Sequence, residues 1–515
     1  MPVKLQLSDK QISYSDVKDD ESNVLHKLTA WDRRCKFFNH LYRNQNILRA
    51  VTAHHLGLNV KLCKVSEPEE WIYGSFNLCI PVFISSNKGQ PTERVIIRFP
   101  LPYKVGGPEN ADEKLRCEAG TYIWLQQNCP SVPIPRLYGF GLSTGQRFTA
   151  IEKLPLLRRL AHDFYHRLRN WLKLPVPSRY IRHRGASFDS LGCGYLLIDY
   201  IEKNEGEMLS CTWNERYQEK GLRRNLFRSL SRILLNIAQV PLPRIGSFTV
   251  DNNGFLHLGN RPLSLVMHQL ENEQIPVDIP RHLTYTSADS YVIDILNCVH
   301  DSRLRHQPNG VSDTGDCIYQ MSALAAMKAT LSLFLRRDLR HGPFVFSLTD
   351  LHQSNIFVDE NWNITCLIDL EWAFSCPVEM IHPPRWLANQ AIDQMDEKKY
   401  DPLRHEFLDV LENTEQELSI QPRHRLSVVM KQAWKMGTFW YTLALRSPMG
   451  LARVFYDHIQ PILANGHEDN DGFYPIMMEY WTIDTRTFIE RKLADKEAYD
   501  RKLRQAFEDK VENPR

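Results

Sequence analysis

The stretch FSLTDLHQSNIFVDENWNITCLIDLEW, Phe346–Trp372, is the part of the sequence from which the fold can be deduced. Two short apolar runs flank the turn sequence Asp359–Asn361, and Asp-Glu-Asn between β-branched and aromatic residues is typical of a β-hairpin turn. Asp350 and Asn355 precede the first run, and Asp369 follows the second. The stretch therefore predicts a hairpin with three polar side chains at or beside the strand ends.

These three side chains suit phosphoryl transfer, which needs a carboxylate to orient or deprotonate a hydroxyl group and hard oxygen ligands for Mg²⁺. Asp350 is predicted to take the first role, and Asn355 and Asp369 the second. The five-residue step from Asp350 to Asn355 equals the step from Asp to Asn in the protein-kinase loop H-R-D-x-x-x-x-N. Each residue alone would be an ordinary turn or cap residue. The shared spacing and the flanking strands favour the catalytic interpretation.

The stretch resembles the aminoglycoside phosphotransferase and choline kinase family, which has a protein-kinase-like fold. The family pattern, approximately H-G-D-L-H-x-x-N-I followed by I-D-W/F-E, is present here as LTDLHQSNI and IDLEW. Leu348 and Thr349 stand where the family has His and Gly. The chain is also similar to a large fungal group of phosphotransferase-family proteins over about residues 65–400, in the phrases GSFN, NRPLSL, DLHQSNIFVD and IDLEW.

The resemblance implies an α+β fold of two lobes, with a small antiparallel β-sheet in the N-lobe and a mainly helical C-lobe. It implies ATP and Mg²⁺ as cofactors and transfer of the γ-phosphoryl group to a hydroxyl of a small molecule. Two other functions stay open. Leu348, Arg98 and a loop with a single glycine favour a pseudokinase that binds nucleotide or a partner without turnover. Asp350, His352 and Asp369 would serve a metal-dependent hydrolase.

Residues 71–100 alternate like strands, with turns at residues 74–77 and at Ser85–Gln90. The first turn contains Gly74, Ser75 and Asn77 and is the candidate for a loop that covers nucleotide phosphates, since backbone N–H groups must approach phosphate closely. A plain β-turn is the alternative.

Arg98, in the run VIIRF, occupies the place where kinase-like folds offer a Lys to the phosphates. Arginine can also bind phosphate, and does so bidentately. The alternative is an edge-strand arginine with its head group in water. A helix is predicted from Glu113 to about Asn128, and Glu118 is expected to pair with Arg98, with Glu113 as the competitor.

Three further assignments concern positions within the resemblance. The backbone at Tyr200 to Glu202, after an apolar run, is expected to bind the adenine edge at the interlobe hinge. His352 is expected to orient the catalytic loop by bridging two backbone groups, the alternative being a half-buried, satisfied histidine. Glu371 is expected to support the metal or the substrate indirectly.

The chain divides into an N-terminal helical extension (1–64), an N-lobe (65–203) with an insertion (142–190), a C-lobe (204–400) and a C-terminal helical part (401–515). Residues 1–20 are polar and expected to be mobile. In the insertion, apolar residues at helical spacing predict a core-facing stripe: Leu160, Phe164, Leu168 and Leu172. The final charged helix is expected to be a surface helix or a partner contact.

Composition excludes several classes. The chain has 515 residues, 43% hydrophobic and 24% charged, with a net charge of +2, so nothing global indicates nucleic acid or a membrane as partner. No apolar window reaches the 18 residues that a membrane helix needs. Eleven cysteines without a C-x-x-C pair indicate free thiols in a reducing compartment. The N-terminal sequence lacks the apolar core of a secretory signal. The expected location is the cytoplasm.

Overall fold

The structure is a computed structural model of the chain, and it describes residues 4–7, 10–85, 91–183, 191–421, 425–464 and 472–512. Residues 86–90 of the predicted turn and 184–190 of the predicted insertion lie outside the described residues. The predicted fold class is confirmed, since an antiparallel sheet forms the first lobe and helices make up most of the second. The predicted domain boundaries stay predictions.

The N-terminal segment forms a short antiparallel hairpin followed by helices: β1 (Lys4–Gln6), β2 (Gln11–Ser13), α1 (Tyr14–Val17), α2 (Val24–Leu28), α3 (Ala30–Arg43) and α4 (Gln45–Leu56). The apolar faces of α3 and α4 pack against the sheet of the first lobe. The expectation of a mobile segment over residues 1–20 does not hold for its described part. Leu5, Ile12 and Val17 are buried against Tyr499 and Leu503, near the C-terminus.

The first lobe is an eight-stranded antiparallel sheet in the order β3-β5-β6-β10-β7-β8-β9, with β4 paired to β5. Its elements in chain order are β3 (Cys63–Val65), β4 (Ile72–Tyr73), β5 (Asn77–Ser85), β6 (Pro91–Pro100), α5 (Pro108–Asn128), β7 (Leu137–Gly141), β8 (Arg147–Ala150), α6 (Leu156–Trp171), β9 (Tyr180–His183) and β10 (Tyr195–Asp199). Strand β6 lies inside the sheet, so Arg98 is not an edge-strand residue, and its partner in β10 is Leu196.

The core-facing stripe predicted in the insertion is wrong. Helix α6 contains no buried residue, and the four stripe side chains are between 39% and 70% exposed. Periodicity at 3.6 residues correctly marks one apolar face of the helix. It carries no information on whether another element covers that face.

The second lobe begins after the hinge and is mostly helical. Its elements are β11 (Glu207–Met208), α7 (Leu209–Arg216), α8 (Lys220–Ala238), β12 (Ser247–Val250), β13 (Leu256–Asn260), α9 (Leu265–Asn272), α10 (Ala288–Asp294), α11 (Ser302–His306), α12 (Thr314–Phe334), β14 (Phe344–Leu348), β15 (Ile356–Val358), β16 (Ile364–Leu367), β17 (Ala373–Pro377), α13 (Glu397–Glu417), α14 (Leu426–Lys435), α15 (Thr438–Leu445), α16 (Leu451–Val454), α17 (Gln460–Leu463), α18 (Phe473–Glu479) and α19 (Thr485–Glu512).

The central stretch forms the predicted hairpin, with β15 and β16 antiparallel and β11 added to its edge. Strand β14, which leads to Asp350, pairs instead with β17, which follows Trp372. The two pairings hold the loop after β14 and the turn after β16 beside each other. A further antiparallel hairpin, with its turn around residues 251–254, consists of β12 and β13.

Helices α14 and α15 of the C-terminal part are separate, because Gly437 between them adopts a positive φ of +80°. The final charged helix, α19, contacts the chain itself, since Tyr499 and Leu503 pack against the N-terminal segment. Among the described helices, none is both long and apolar enough to cross a membrane.

Candidate active site

A cleft of about 960 Å³ lies between the two lobes and has the size of a small-molecule site. Most of the predicted site residues line it. The first lobe contributes Gly74, Ser75, Asn77, Arg98 and Tyr200, and the second contributes Asp350, His352, Asn355 and Asp369. The structure therefore brings together positions that are up to 295 residues apart in the sequence.

Asp350 lies in the loop directly after β14, at the base of the cleft. Burial, and then the nearby carboxylates of Glu371 and Asp369, raises the pKa of Asp350 to about 6. A carboxylate with this pKa is ionised at neutral pH and accepts a proton more readily than an exposed one. These properties suit a general base for a hydroxyl group.

Asn355 is oriented by the same loop. Its Nδ2 donates a hydrogen bond of 2.9 Å to the backbone oxygen of Asp350, and its own backbone oxygen accepts from the N–H of Ile368, at 3.0 Å. Because the amide nitrogen is engaged with the backbone, the side-chain oxygen is the atom left to bind a cation.

Asp369 follows β16 in a left-handed backbone conformation, with φ at +56°. Such a conformation is uncommon for a residue other than glycine and is found in turns and at functional sites. It turns the carboxylate into the cleft, where it lies with Asn355.

The donor set of Asn355 and Asp369 fits Mg²⁺. Magnesium is commonly held by one or two carboxylates together with substrate phosphates, rather than by a cage of protein ligands. Among the described residues there is no group of three or more His, Cys, Asp or Glu side chains that could hold a metal.

Arg98 is the centre of a buried ion-pair network. Its Nη1 lies 3.0 Å from Oε1 of Glu118 on α5, without hydrogen-bond geometry, and its Nη2 lies 2.9 Å from Oε2 of Glu371. The same Nη2 contacts Asp369. Burial, only partly offset by Arg98 and Lys114, raises the pKa of Glu118 to about 7. The structure thus brings Glu118 to Arg98, as predicted.

Glu113, the competitor for that pairing, lies elsewhere. Its carboxylate accepts hydrogen bonds of 2.9 and 2.8 Å from the guanidinium of Arg261, just after β13. Asn260 donates to it as well, at 2.9 Å. Glu113 therefore fastens the second-lobe hairpin to α5 and does not reach the cleft.

Lys114 and Glu371 complete the network and are not among the site residues that the sequence predicted for phosphate binding. Lys114 is fully buried on α5, with Nζ 2.5 Å from Oε2 of Glu371 and 2.7 Å from Oδ1 of Asn77. Burial alone would raise the pKa of Glu371, but Lys114 and then Arg98 lower it to about 2. Glu371 is therefore a permanent anion that joins β5, β6 and α5 to the second lobe. A charged residue within the predicted α5 was the only sequence signal for Lys114.

Asn77 belongs to this network rather than to the rim of the cleft. Its Nδ2 donates to Glu371 at 2.8 Å, and its Oδ1 accepts from Lys114. Both ends of the amide are engaged, so the side chain is not available to a nucleotide. The neighbouring Gly74 is exposed, and a Cβ added there would meet no atom within 4 Å. Packing does not require glycine at this position.

At the hinge, Tyr200 lines the cleft and the side chain of Glu202 does not. Arg94 stacks over the ring of Tyr200, 3.9 Å from its centroid, and pairs with Glu202. The backbone N–H of Glu202 donates to the carboxylate of Glu205, at 2.8 Å. Ile201 is the hinge residue that faces the cleft beside Tyr200.

His352 lies in the cleft, where burial and then Arg385 lower its pKa. Its side-chain contacts within the described part of the chain are a hydrogen bond of 3.4 Å with Ser354 and an edge contact with Trp386. They do not include the expected bridge between two backbone groups. Trp386 holds the loop instead, since its Nε1 donates to the backbone oxygen of Leu351, at 2.9 Å.

Comparisons with known proteins identify the family of the chain. None of the curated proteins compared with the chain matches it. Among solved structures, the chain is similar to an ethanolamine kinase of Plasmodium vivax, with 12% sequence identity, a TM-score of 0.32, and coverage of 78% of this chain and 84% of that one.

The model of the phosphotransferase enzyme family matches residues 87–380, more than half of the chain. The matched range includes Arg98, Glu118 and the whole central stretch, whereas the turn at Gly74 and everything after residue 380 lie outside it. The resemblance seen in the central stretch is confirmed: the chain belongs to the phosphotransferase enzyme family.

Proposed function

We propose that the protein is an ATP- and Mg²⁺-dependent small-molecule kinase, which transfers the γ-phosphoryl group to a hydroxyl of its acceptor. The observation that carries the proposal is the convergence of Asp350, Asn355, Asp369 and Arg98 in one interlobe cleft. A base, two oxygen ligands and a cation in one concave site are the groups that phosphoryl transfer requires.

Each residue then has a defined task. Asp350 orients the acceptor hydroxyl and takes its proton as the oxygen attacks. Arg98, positioned by Glu118 and Glu371, binds phosphate oxygens. The backbone of Gly74 and Ser75 covers the phosphates, and the hinge at Tyr200 and Ile201 contacts the base.

Asn355 and Asp369 would hold Mg²⁺, which when bound neutralises phosphate charge and helps to align the nucleotide. To bind it, Asp369 has to share or give up its contact with Arg98. Glu371 remains as an anionic partner of Arg98 when that happens, and Glu118 still lies beside the guanidinium.

The same contact favours a second function. If Arg98 keeps the carboxylate of Asp369, the protein is a pseudokinase that binds nucleotide or a partner without turnover. Leu348, in place of the family histidine, is consistent with this alternative.

The deciding experiment measures ADP release from the full-length protein with MgATP over a panel of small hydroxyl-bearing metabolites, with Asp350→Ala as the matched variant. Turnover that depends on an acceptor and is lost in the variant supports the kinase. Calorimetric titration with MgATP separates the alternatives. Binding without turnover over the whole panel supports the pseudokinase, and absence of nucleotide binding contradicts the kinase and a nucleotide-binding pseudokinase.

A further inference from the structure

A second cavity, of about 120 Å³, lies beside the cleft and is also lined by Asp350. Asp350 and Leu265 line both spaces, so the two meet at the predicted base. A molecule in the smaller cavity could present its hydroxyl group to Asp350, which also faces the cleft. The cavity therefore has the position of an acceptor site.

The apolar wall of this cavity comes from α10, the start of β17 and the end of α15, and includes Tyr291, Phe374 and Leu445. The charged wall consists of Arg385 and Arg446. Asp350 is the only carboxylate among the lining residues that the structure describes. An acceptor carrying an ammonium group would require the opposite distribution of charge.

Arg385 differs from three deeply buried arginines of this protein. Arg98, Arg223 and Arg261 each have a carboxylate oxygen within 3.0 Å. Half-buried Arg385 has neither an ion pair nor a hydrogen bond with any part of the chain that the structure describes, and Asp350 attracts it from beyond ion-pair distance. An arginine that faces a cavity without a carboxylate partner leaves its donors available to an oxyanion.

Arg446 lies just after α15, and its Nη2 donates to the backbone oxygen of Met380, at 3.1 Å. Arg446 forms no ion pair with the residues that the structure describes. Burial, and then the proximity of Arg446, lowers the pKa of Arg385. Two guanidinium groups held near each other repel, and an anion between them would relieve that repulsion.

We propose that Arg385 and Arg446 form an oxyanion subsite, and that the acceptor is a small hydroxyl compound carrying a carboxylate or a phosphate group. The proposal rests on the proposed kinase function, because it assigns the substrate class of the same site. Both arginines lie beyond the residues matched by the family model, so the family match does not assign the subsite.

The test titrates four probes into the full-length protein saturated with Mg-AMPPNP, so that the γ-phosphate position is filled. Inorganic phosphate and glycerate are the anions, glycerol is the neutral analogue, and 2-amino-1,3-propanediol is the cationic one. We expect saturable binding of at least one anion and weaker binding of the other two probes. Tighter binding of glycerate or of phosphate tells which oxyanion the subsite takes.

Arg385→Gln and Arg446→Gln should each weaken anion binding by about tenfold or more, the effect of losing a charge-assisted hydrogen bond. Arg385→Gln breaks no hydrogen bond of the described structure and so keeps the test valid if Arg446→Gln fails to fold. Arg228→Gln is the control, because Arg228 is a surface arginine paired with Glu417, at 2.5 Å. It should leave anion binding unchanged.

Three results would overturn the subsite. The first is that no anion binds saturably, and the second is that Arg385→Gln binds anions as tightly as the wild type. The third is that Arg385→Gln loses AMPPNP affinity but no anion affinity. Failure of the kinase function is recognised separately, because the phosphate titration is repeated without nucleotide. Nucleotide binding without anion binding contradicts the subsite and leaves the kinase. If the protein binds no nucleotide but binds anions in a way that depends on Arg385, the kinase function is contradicted and the oxyanion site is supported.

Discussion

Lys114 Nζ lies 2.5 Å from Oε2 of Glu371, although the two residues are 257 positions apart and belong to different lobes. Both side chains are buried, and Asn77 and Arg98 complete the contacts around the carboxylate. The lobes are therefore joined by charge directly behind the cleft. This network keeps Arg98 in place whether or not Asp369 is paired with it.

Replacing Lys114 tests the network as a structural element. Lys114→Met should lower the free energy of unfolding by about 3–5 kcal/mol, because it leaves a buried anion short of one cation. Urea denaturation followed by tryptophan fluorescence measures the effect. Lys431→Met is the control, since Lys431 pairs with Glu412 at the surface, and it should cost less than about 1 kcal/mol. Equal losses in the two variants would contradict the role given to the network.

Asp350→Asn tests the base. It keeps the size of the side chain and removes the proton acceptor, so kcat should fall by about 10²–10⁴-fold while MgATP affinity changes little. Steady-state ADP release and calorimetry measure the two quantities. A fall in affinity as large as the fall in kcat would show that Asp350 acts in nucleotide binding instead.

Asp369→Asn tests the cation site. Asparagine tolerates the left-handed backbone of this position, so the fold should be kept. MgATP affinity should fall by about 10–100-fold or more. Loss of a residue that only hydrogen-bonds to a metal ligand already has an effect of this size. The specific readout is the ratio of nucleotide affinity with Mg²⁺ to that with EDTA. The ratio should be large in the wild type and near one in the variant; an unchanged ratio would exclude Asp369 as a ligand.

Gly74→Val tests the covering turn. No atom lies within 4 Å of a Cβ at Gly74, so thermal stability should be unchanged. A side chain there would keep the backbone away from the phosphates and should weaken MgATP binding by about 1 kcal/mol or more, the net worth of one hydrogen bond. Gly221→Val on α8 has equally open surroundings and lies away from the cleft, so it should not affect binding. Wild-type affinity in Gly74→Val would remove this turn from the site.

Glu379, buried after β17, predicts a pH dependence of stability. Its Oε2 accepts from the backbone N–H of Arg336 at 2.9 Å, while its Oε1 has no partner within the described residues. Burial raises the pKa of Glu379 from 4.5 to about 7, and the charges of Arg336, Asp338 and Asp289 modify this shift. The folded state therefore binds more protons than the unfolded chain between these two values, and the free energy of unfolding falls as pH rises through that range.

The fall attributable to Glu379 should reach about 3 kcal/mol and be complete above pH 7. Glu379→Gln stays neutral at every pH and should not show it. Urea denaturation of both proteins at pH 5 and pH 8 measures the difference: the variant should be the more stable protein at pH 8 and similar to the wild type at pH 5. Parallel pH dependences would contradict the raised pKa.

Much of the site was predictable because its signals are local. The spacing of Asp350, Asn355 and Asp369 lies within one stretch of 27 residues, and turn chemistry fixes the hairpin that presents them. Arg98 and Glu118 were predictable from their positions in the chain. Arg98 precedes a predicted helix, and Glu118 lies on that helix. The resemblance to the family supplied their partnership.

Contacts between distant segments were not predictable in this way. Nothing near Lys114 indicates that it pairs with Glu371, and Asn77, predicted at the nucleotide, instead holds that pair together. The apolar face of α6 was predicted correctly, but the prediction that this face is buried was wrong.

By itself, the sequence determined the order of strands and helices, the chemistry of the central stretch and the family, because periodicity, turn residues and motif spacing act over short distances along the chain. Only the tertiary structure decided which charges meet. It placed Lys114 behind the cleft, and it left Arg385 facing the second cavity with no carboxylate of the described residues within ion-pair distance. The physical reason is that burial and ion pairing depend on which segments pack together, and that is a property of the whole fold.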